Sequence, residues 1–124
     1  MKKLIATKGA PAAIGPYSQA VEVNGFLYVS GQIPIDPATG LIPQGIEAQT
    51  EQVLKNMGAI LKEAGMSYKN VVKTTCLLTD ISNFGAMNEV YAKYFVEELP
   101  ARAAFAVVAL PKGVLVEIEC VASR

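Results

Sequence analysis

Two kinds of charge sit in segments that otherwise read as core. Arg102 follows Pro100-Ala101 and opens an apolar run ending at Leu110-Pro111-Lys112-Gly113. Glu117 and Glu119 lie inside Val116-Glu117-Ile118-Glu119, an otherwise apolar, strand-like sequence. A charge in such a segment must be paired, solvated in a pocket, or functional. The chain contains no histidine, so its chemistry must run on Arg, Glu, Tyr, Ser, Cys or backbone groups. Cys76 and Cys120 are far apart, each in a strand-like run, without a Cys-x-x-Cys spacing. They read as reduced, buried thiols. With no histidine and no cysteine cluster, a metal site is not expected.

The elements that must position these residues are marked by periodicity and turn chemistry. Residues 9–18 form a loop punctuated by Pro11, Gly15 and Pro16, which makes Tyr17 part of a stiff turn. Asn24-Gly25 between Ala20-Val21-Glu22-Val23 and Phe26-Leu27-Tyr28-Val29-Ser30 predicts a hairpin with a type I′ turn. A second loop runs from Gly31 to Gly45. Val53, Met57, Ile60, Leu61 and Ala64 then draw one apolar stripe, which predicts a helix over 46–64 stopped at Gly65. Residues 71–78 read as a strand. Capping side chains at Thr79 to Asn83 start a second helix reaching about Glu97, with Phe84, Met87, Tyr91, Tyr94 and Phe95 on one face. Two final strands, near 103–109 and 114–122, are expected to close as a hairpin. In the last, Val114, Val116, Ile118 and Cys120 share one face, and Leu115, Glu117, Glu119 and Val121 the other. The order hairpin, helix, strand, helix, hairpin implies an α+β domain over residues 1–124, with both helices on one face of a mixed sheet.

Composition narrows the function classes. Of 124 residues, 52% are hydrophobic and 18% charged, and mean hydropathy is +0.32. A small domain has limited interior for that much apolar surface, which points to burial against another subunit. Eleven basic residues balance 11 acidic ones, for a formal net charge of 0. Scattered basic residues and no net positive charge argue against a nucleic-acid partner. No segment approaches the ~20 apolar residues of a membrane span, so no membrane partner is expected. The first eight residues lack the apolar core of a signal peptide, which points to the cytoplasm.

Five motifs in order carry a resemblance. Ala10-Pro11-Ala12-Ala13-Ile14-Gly15-Pro16-Tyr17-Ser18-Gln19-Ala20, Ser30-Gly31-Gln32-Ile33-Pro34, Asn88-Glu89-Val90-Tyr91, Pro100-Ala101-Arg102 and Val116-Glu117-Ile118-Glu119 together resemble the RidA (YjgF/L-PSP) family across essentially the whole chain. The resemblance implies a chorismate-mutase-like α+β fold. It implies a homotrimer whose sheets line a central β-barrel, with ligand clefts between adjacent subunits. It also implies a cofactor-free activity, hydrolysis of 2-imino acids such as 2-iminobutanoate and 2-iminopropanoate to 2-keto acids and ammonia.

The same resemblance assigns roles. Arg102 matches the arginine that binds the substrate carboxylate, a task suited to the guanidinium fork. Glu117 matches the cleft glutamate, which would orient or deprotonate water; spacing alone does not separate it from Glu119. Tyr17 would wall the cleft. Ser30 and Gly31 would offer main-chain N–H to the ligand at a close backbone approach. Asn88 would help to shape the site. Ala104 departs from relatives that carry cysteine there, leaving only its backbone N–H for the carboxylate. Structural alternatives stand beside these roles: an Arg102 ion pair with Glu117 or Glu119, an interface ion pair for either glutamate, simple packing of Tyr17, a left-handed turn at Gly31, and helix-surface packing of Asn88. Functional alternatives are a non-catalytic trimer that binds keto acids and, against the neutral charge, an RNA-cleaving or translation-inhibiting protein.

Overall fold

A computed structural model describes residues 1–124. The elements in chain order are β1 (Lys3–Ile5), β2 (Ala20–Val23), β3 (Phe26–Gln32), α1 (Ile46–Glu63), β4 (Val71–Leu78), α2 (Phe84–Tyr94), β5 (Ala101–Ala106) and β6 (Val116–Ser123). The strands form one six-stranded mixed sheet in the order β1-β2-β3-β6-β4-β5. All neighbours are antiparallel except β4 and β5, which run parallel across the α2 crossover.

The β2–β3 hairpin turns at Asn24 and Gly25, with φ of 52° and 81°. Positive φ at both central positions is what a type I′ turn requires, and its twist matches that of the strands. Helix α1 buries Val53, Leu54, Met57, Ile60 and Leu61. Helix α2 buries Met87, Val90 and Tyr91. They meet Leu27, Val29, Cys76, Leu78, Val116, Ile118, Cys120 and Ala122 from the sheet in one core. In β6 the alternation is clean: Val116, Ile118, Cys120 and Ala122 are buried, whereas Glu117, Glu119 and Val121 face the other way. Both thiols are buried and unpaired. No helix is long and apolar enough to cross a membrane.

The expected C-terminal hairpin does not form. Strand β6 lies between β3 and β4, and β5 pairs with the far side of β4. The loop between β5 and β6 is stitched to the end of β4 instead: Val107 N–H donates to the Leu78 carbonyl at 2.8 Å, and Thr79 N–H to the Leu115 carbonyl at 3.2 Å. The β4–α2–β5 segment is thus a parallel crossover, which deposits β5 beside β4 and leaves the central place to β6, the more deeply buried of the two. Strand bounds shift accordingly, to 101–106 and 116–123. Helix α2 ends at Tyr94 rather than near Glu97, and Phe95 leaves it in an extended conformation while staying buried. Strand β1 was not expected, because three residues carry too short a pattern to read.

The sheet has a helix-covered face and an open one. Register places Leu4, Val21, Tyr28 and Val121 in one row on the open face. Phe105 and Leu77 lie beside Glu117 on the same face. Leu4, Phe26, Tyr28 and Phe105 are all exposed, so the open face carries apolar side chains that no helix covers.

Candidate active site

Arg102 stands on β5, directly beside Thr74 of β4 in parallel register. Thr74 is wholly buried under α2, so Arg102 projects on the helix-covered face, at the sheet's edge. Helix α2 supplies its surroundings from one stripe, Phe84, Asn88 and Tyr91, spaced by four and three residues. Arg102 Nη1 donates to Asn88 Oδ1 at 2.7 Å. The guanidinium carbon lies 5.2 Å from the Phe84 ring centre and 4.9 Å from that of Tyr91, within cation–π range. The side chain remains exposed and makes no salt bridge. A planar fork with one edge held and its remaining donors free can grip a carboxylate. Ala104 follows two residues on along the same face, half-buried and opposite Cys76.

Glu117 occupies the other face. It pairs with Leu77 of β4, one of the residues that alternate away from Thr74, Cys76 and Leu78. Its carboxylate lies against Gly31: a Cβ added there would fall 2.9 Å from the carboxyl carbon and still closer to Oε2. A bulge creates this approach, because β3 holds one extra residue between the Val29–Cys120 and Gln32–Ile118 pairs. Gly31 is not among the glycines with positive φ. Close approach, not a left-handed turn, is what requires glycine here, and β3 continues through it to Gln32. Burial pushes the Glu117 carboxyl above its usual range, and the charge of Glu119 adds to the effect. Glu119, two residues on, is exposed. Spacing could not distinguish the two glutamates; the bulge brings only Glu117 against Gly31.

Tyr17 and Gly31 line a single groove of about 1020 Å³, together with Ser18, Gln32, Ile33 and Lys112. The Tyr17 ring packs over Gly15 and is 50% exposed. Ser30 is engaged within the chain: its N–H donates to the Gln19 carbonyl at 3.0 Å and its hydroxyl to the Ser18 carbonyl at 2.6 Å. It braces the Tyr17 loop against β3.

The chain therefore carries two half-sites on opposite faces of one sheet. Of the candidate residues, Arg102, Asn88 and Ala104 gather on one face; Glu117 lies against Gly31 on the other, and Gly31 shares its groove with Tyr17. The ion pair of Arg102 with Glu117 or Glu119 is absent, because the sheet separates them. Three buried amides that the sequence did not single out hold the surrounding loops. Gln19 donates to the carbonyls of Thr7, Ala10 and Pro11 and accepts from Thr7 N–H. Asn56 donates to the Ile33 and Ile35 carbonyls. Gln49 donates to the Pro43 carbonyl and accepts from Leu115 N–H, two residues before Glu117. Buried polar side chains so fully paired act as rigid spacers.

Fold and half-sites define a class: a small α+β protein that presents an arginine fork and a half-buried carboxylate without a metal cluster. Residues 7–124 match the family described as Endoribonuclease L-PSP, and the chain belongs to that family. It is 57% identical over 123 residues, 98% of this chain and 90% of the relative, to the rat protein named 2-iminobutanoate/2-iminopropanoate deaminase. Among solved structures, YyfA of Yersinia pestis, a protein of the conserved Rid family, superimposes with a TM-score of 0.97 at 53% identity over all of both chains. Escherichia coli TdcF, crystallised with bound serine, does so with a TM-score of 0.96 at 42% identity over 98% of each chain.

Proposed function

We propose that this protein hydrolyses 2-imino acids, such as 2-iminobutanoate and 2-iminopropanoate, to 2-keto acids and ammonia. The observation that carries the proposal is the Arg102 guanidinium, fixed by Asn88 and two aromatic rings with donors left free. It has the geometry of a carboxylate anchor in a chain 57% identical to a deaminase of these imino acids.

The reaction adds water across C=N. Arg102 holds the carboxylate and thereby fixes the adjacent C2 carbon. Ala104 backbone N–H adds a second donor to the carboxylate. Glu117 takes a proton from water as its oxygen bonds to C2 and passes it to nitrogen, giving a carbinolamine; the second water proton then moves from the new hydroxyl to nitrogen as the C–N bond breaks, leaving the keto carbonyl and ammonia. A carboxyl raised by burial is better matched to that exchange than an exposed one. Tyr17 and the Gly31 backbone wall the cleft. No cofactor is required, since both protons come from water.

Half-sites on opposite faces of one sheet cannot close on a single small molecule. The site is therefore assembled between chains, with Arg102 from one and Glu117 from its neighbour, in a homotrimer whose open sheet faces turn inward. The exposed Leu4, Phe26, Tyr28 and Phe105 support this, because they give that face an apolar surface to bury.

A second reading, a trimer that binds small carboxylates without turnover, draws on the serine held by TdcF. It uses the same Arg102. An RNA-cleaving role has little support in a chain with zero net charge and no histidine. The test is imine clearance. A threonine dehydratase generates 2-iminobutanoate, semicarbazide traps it, and the protein is titrated in beside Arg102→Ala. Suppressed trapping by the wild type alone is the expected result. Suppression by neither, with saturable 2-oxobutanoate binding, would move the assignment to the binding trimer.

A further inference from the structure

The grip on Arg102 extends one layer behind the groups that touch it. A ring can aim a cation only if the ring itself cannot tilt. The Tyr91 ring is secured at its far end, where its hydroxyl meets Thr74 Oγ1 at 2.8 Å in a buried setting. Thr74 has no exposed surface and is the register neighbour of Arg102 on β4. Phe95 covers the ring from another side, with centroids 4.5 Å apart. A closed circuit results. The Arg102 backbone lies beside Thr74, the Thr74 hydroxyl bonds the Tyr91 hydroxyl, and the Tyr91 ring returns to the Arg102 guanidinium.

The three members come from β5, β4 and α2, so the circuit ties the arginine to two further elements. Burying a hydroxyl pair is a poor way to fill space, because valine and phenylalanine would occupy the same volume without desolvating polar groups. Either hydroxyl of the pair can donate, and both stay protonated at neutral pH.

We infer that Thr74 and Tyr91 are positioning residues for Arg102, their buried hydrogen bond setting the plane of the ring that aims the guanidinium at a substrate carboxylate. The inference rests on the proposed imine hydrolysis for its substrate, but its geometry can be tested without turnover.

The experiment compares wild type, Tyr91→Phe, Thr74→Val and the double variant. Three readouts are used: kcat and KM in the trapping assay, calorimetric binding of 2-oxobutanoate, and solvent exchange of the Arg102 Nε–H by NMR. Each single variant is expected to raise KM and the 2-oxobutanoate Kd about tenfold while kcat stays within about twofold. The double variant should bind no worse than either single, since all three break one hydrogen bond. It should also regain most of the lost melting temperature, because no buried hydroxyl is left without a partner. A well-folded protein that binds weakly and exchanges its Arg102 proton faster separates aiming from folding. Wild-type KM, Kd and exchange in the double variant would overturn the inference and reduce the pair to packing. If the wild type binds 2-oxobutanoate but turns over no imine, binding and exchange still decide the question. If it does neither, the proposed function fails while exchange alone judges the positioning.

Discussion

Arg102 and Glu117 flank the same strand, β4, and face opposite sides of the sheet: Arg102 lies beside Thr74, and Glu117 beside Leu77. Neither can reach the other within a chain. Each is nonetheless prepared, one by Asn88 and two rings, the other by a bulge that clears Gly31 for its carboxylate.

This separation makes a sharp prediction for mixed assemblies. Arg102→Ala and Glu117→Gln should each abolish imine hydrolysis. When the two are dissociated and reassembled together in equal amounts, about one cleft in four receives both native residues if neighbouring chains supply one each. Recovery of roughly a quarter of wild-type activity is expected. Activity no higher than that of the single variants would mean that one chain supplies both residues to its own cleft.

Gly31→Ala tests the bulge. The new Cβ would sit 2.9 Å from the Glu117 carboxyl carbon, so the side chain must swing away or the strand must shift. Overpacking of this kind costs about 1–3 kcal/mol, and kcat should fall because the carboxylate is displaced. Adding Glu117→Ala should restore the melting temperature but not the activity. Unchanged kcat in Gly31→Ala would show that the position of Glu117 is not critical.

Glu117 should cost the fold some stability near neutral pH. Its folded pKa lies above the ordinary 4.5, chiefly through burial. Between the two values the folded state holds more protons than the unfolded chain, so stability declines as pH rises through that window. Its contribution is fully present below about pH 4.5 and is lost above the raised value. Glu117→Gln should therefore melt higher than wild type at neutral pH, with the two converging in acid. The residue is only half buried, so solvent screening keeps the gap small. Thermal melts of both proteins across pH check this, and a wild type that melts higher at neutral pH would contradict it.

The two thiols should be unreactive in the folded protein. Burial pushes Cys76 up to about 11 and Cys120 up to about 12, so almost no thiolate exists near neutral pH. Labelling by a disulfide reagent should proceed only through opening of the core, at a rate that rises with denaturant. Fast labelling of either residue in native buffer would contradict the burial.

Much of the local structure is legible in the sequence alone. Asn24-Gly25 calls for a mirror-image turn because few other residues tolerate positive φ there. The strand over Val71–Leu78 and the helix over Ile46–Glu63 follow from apolar spacing, which a chain repeats wherever it packs one face. The alternation that separates Val116, Ile118 and Cys120 from Glu117 and Glu119 is likewise intrinsic to an extended backbone. Motif order across the chain pointed to Arg102 and Glu117 as the residues for chemistry, and the family match is consistent with that resemblance.

What sequence could not decide was adjacency. Period-two alternation states which residues share a face, but not which strand lies alongside. The expected pairing of β5 with β6 therefore gave way to β4 inserted between them. The same packing put Arg102 under α2 and left Glu117 on the uncovered face. It also set Glu117, not Glu119, against Gly31 through an extra residue in β3 opposite them. Asn88 and Tyr91 were legible as neighbours one helical turn apart, whereas their common contact with Arg102 depended on where α2 settles across the sheet. Periodicity and turn chemistry are local properties of the chain; strand order, bulges and faces are set by long-range packing of one core.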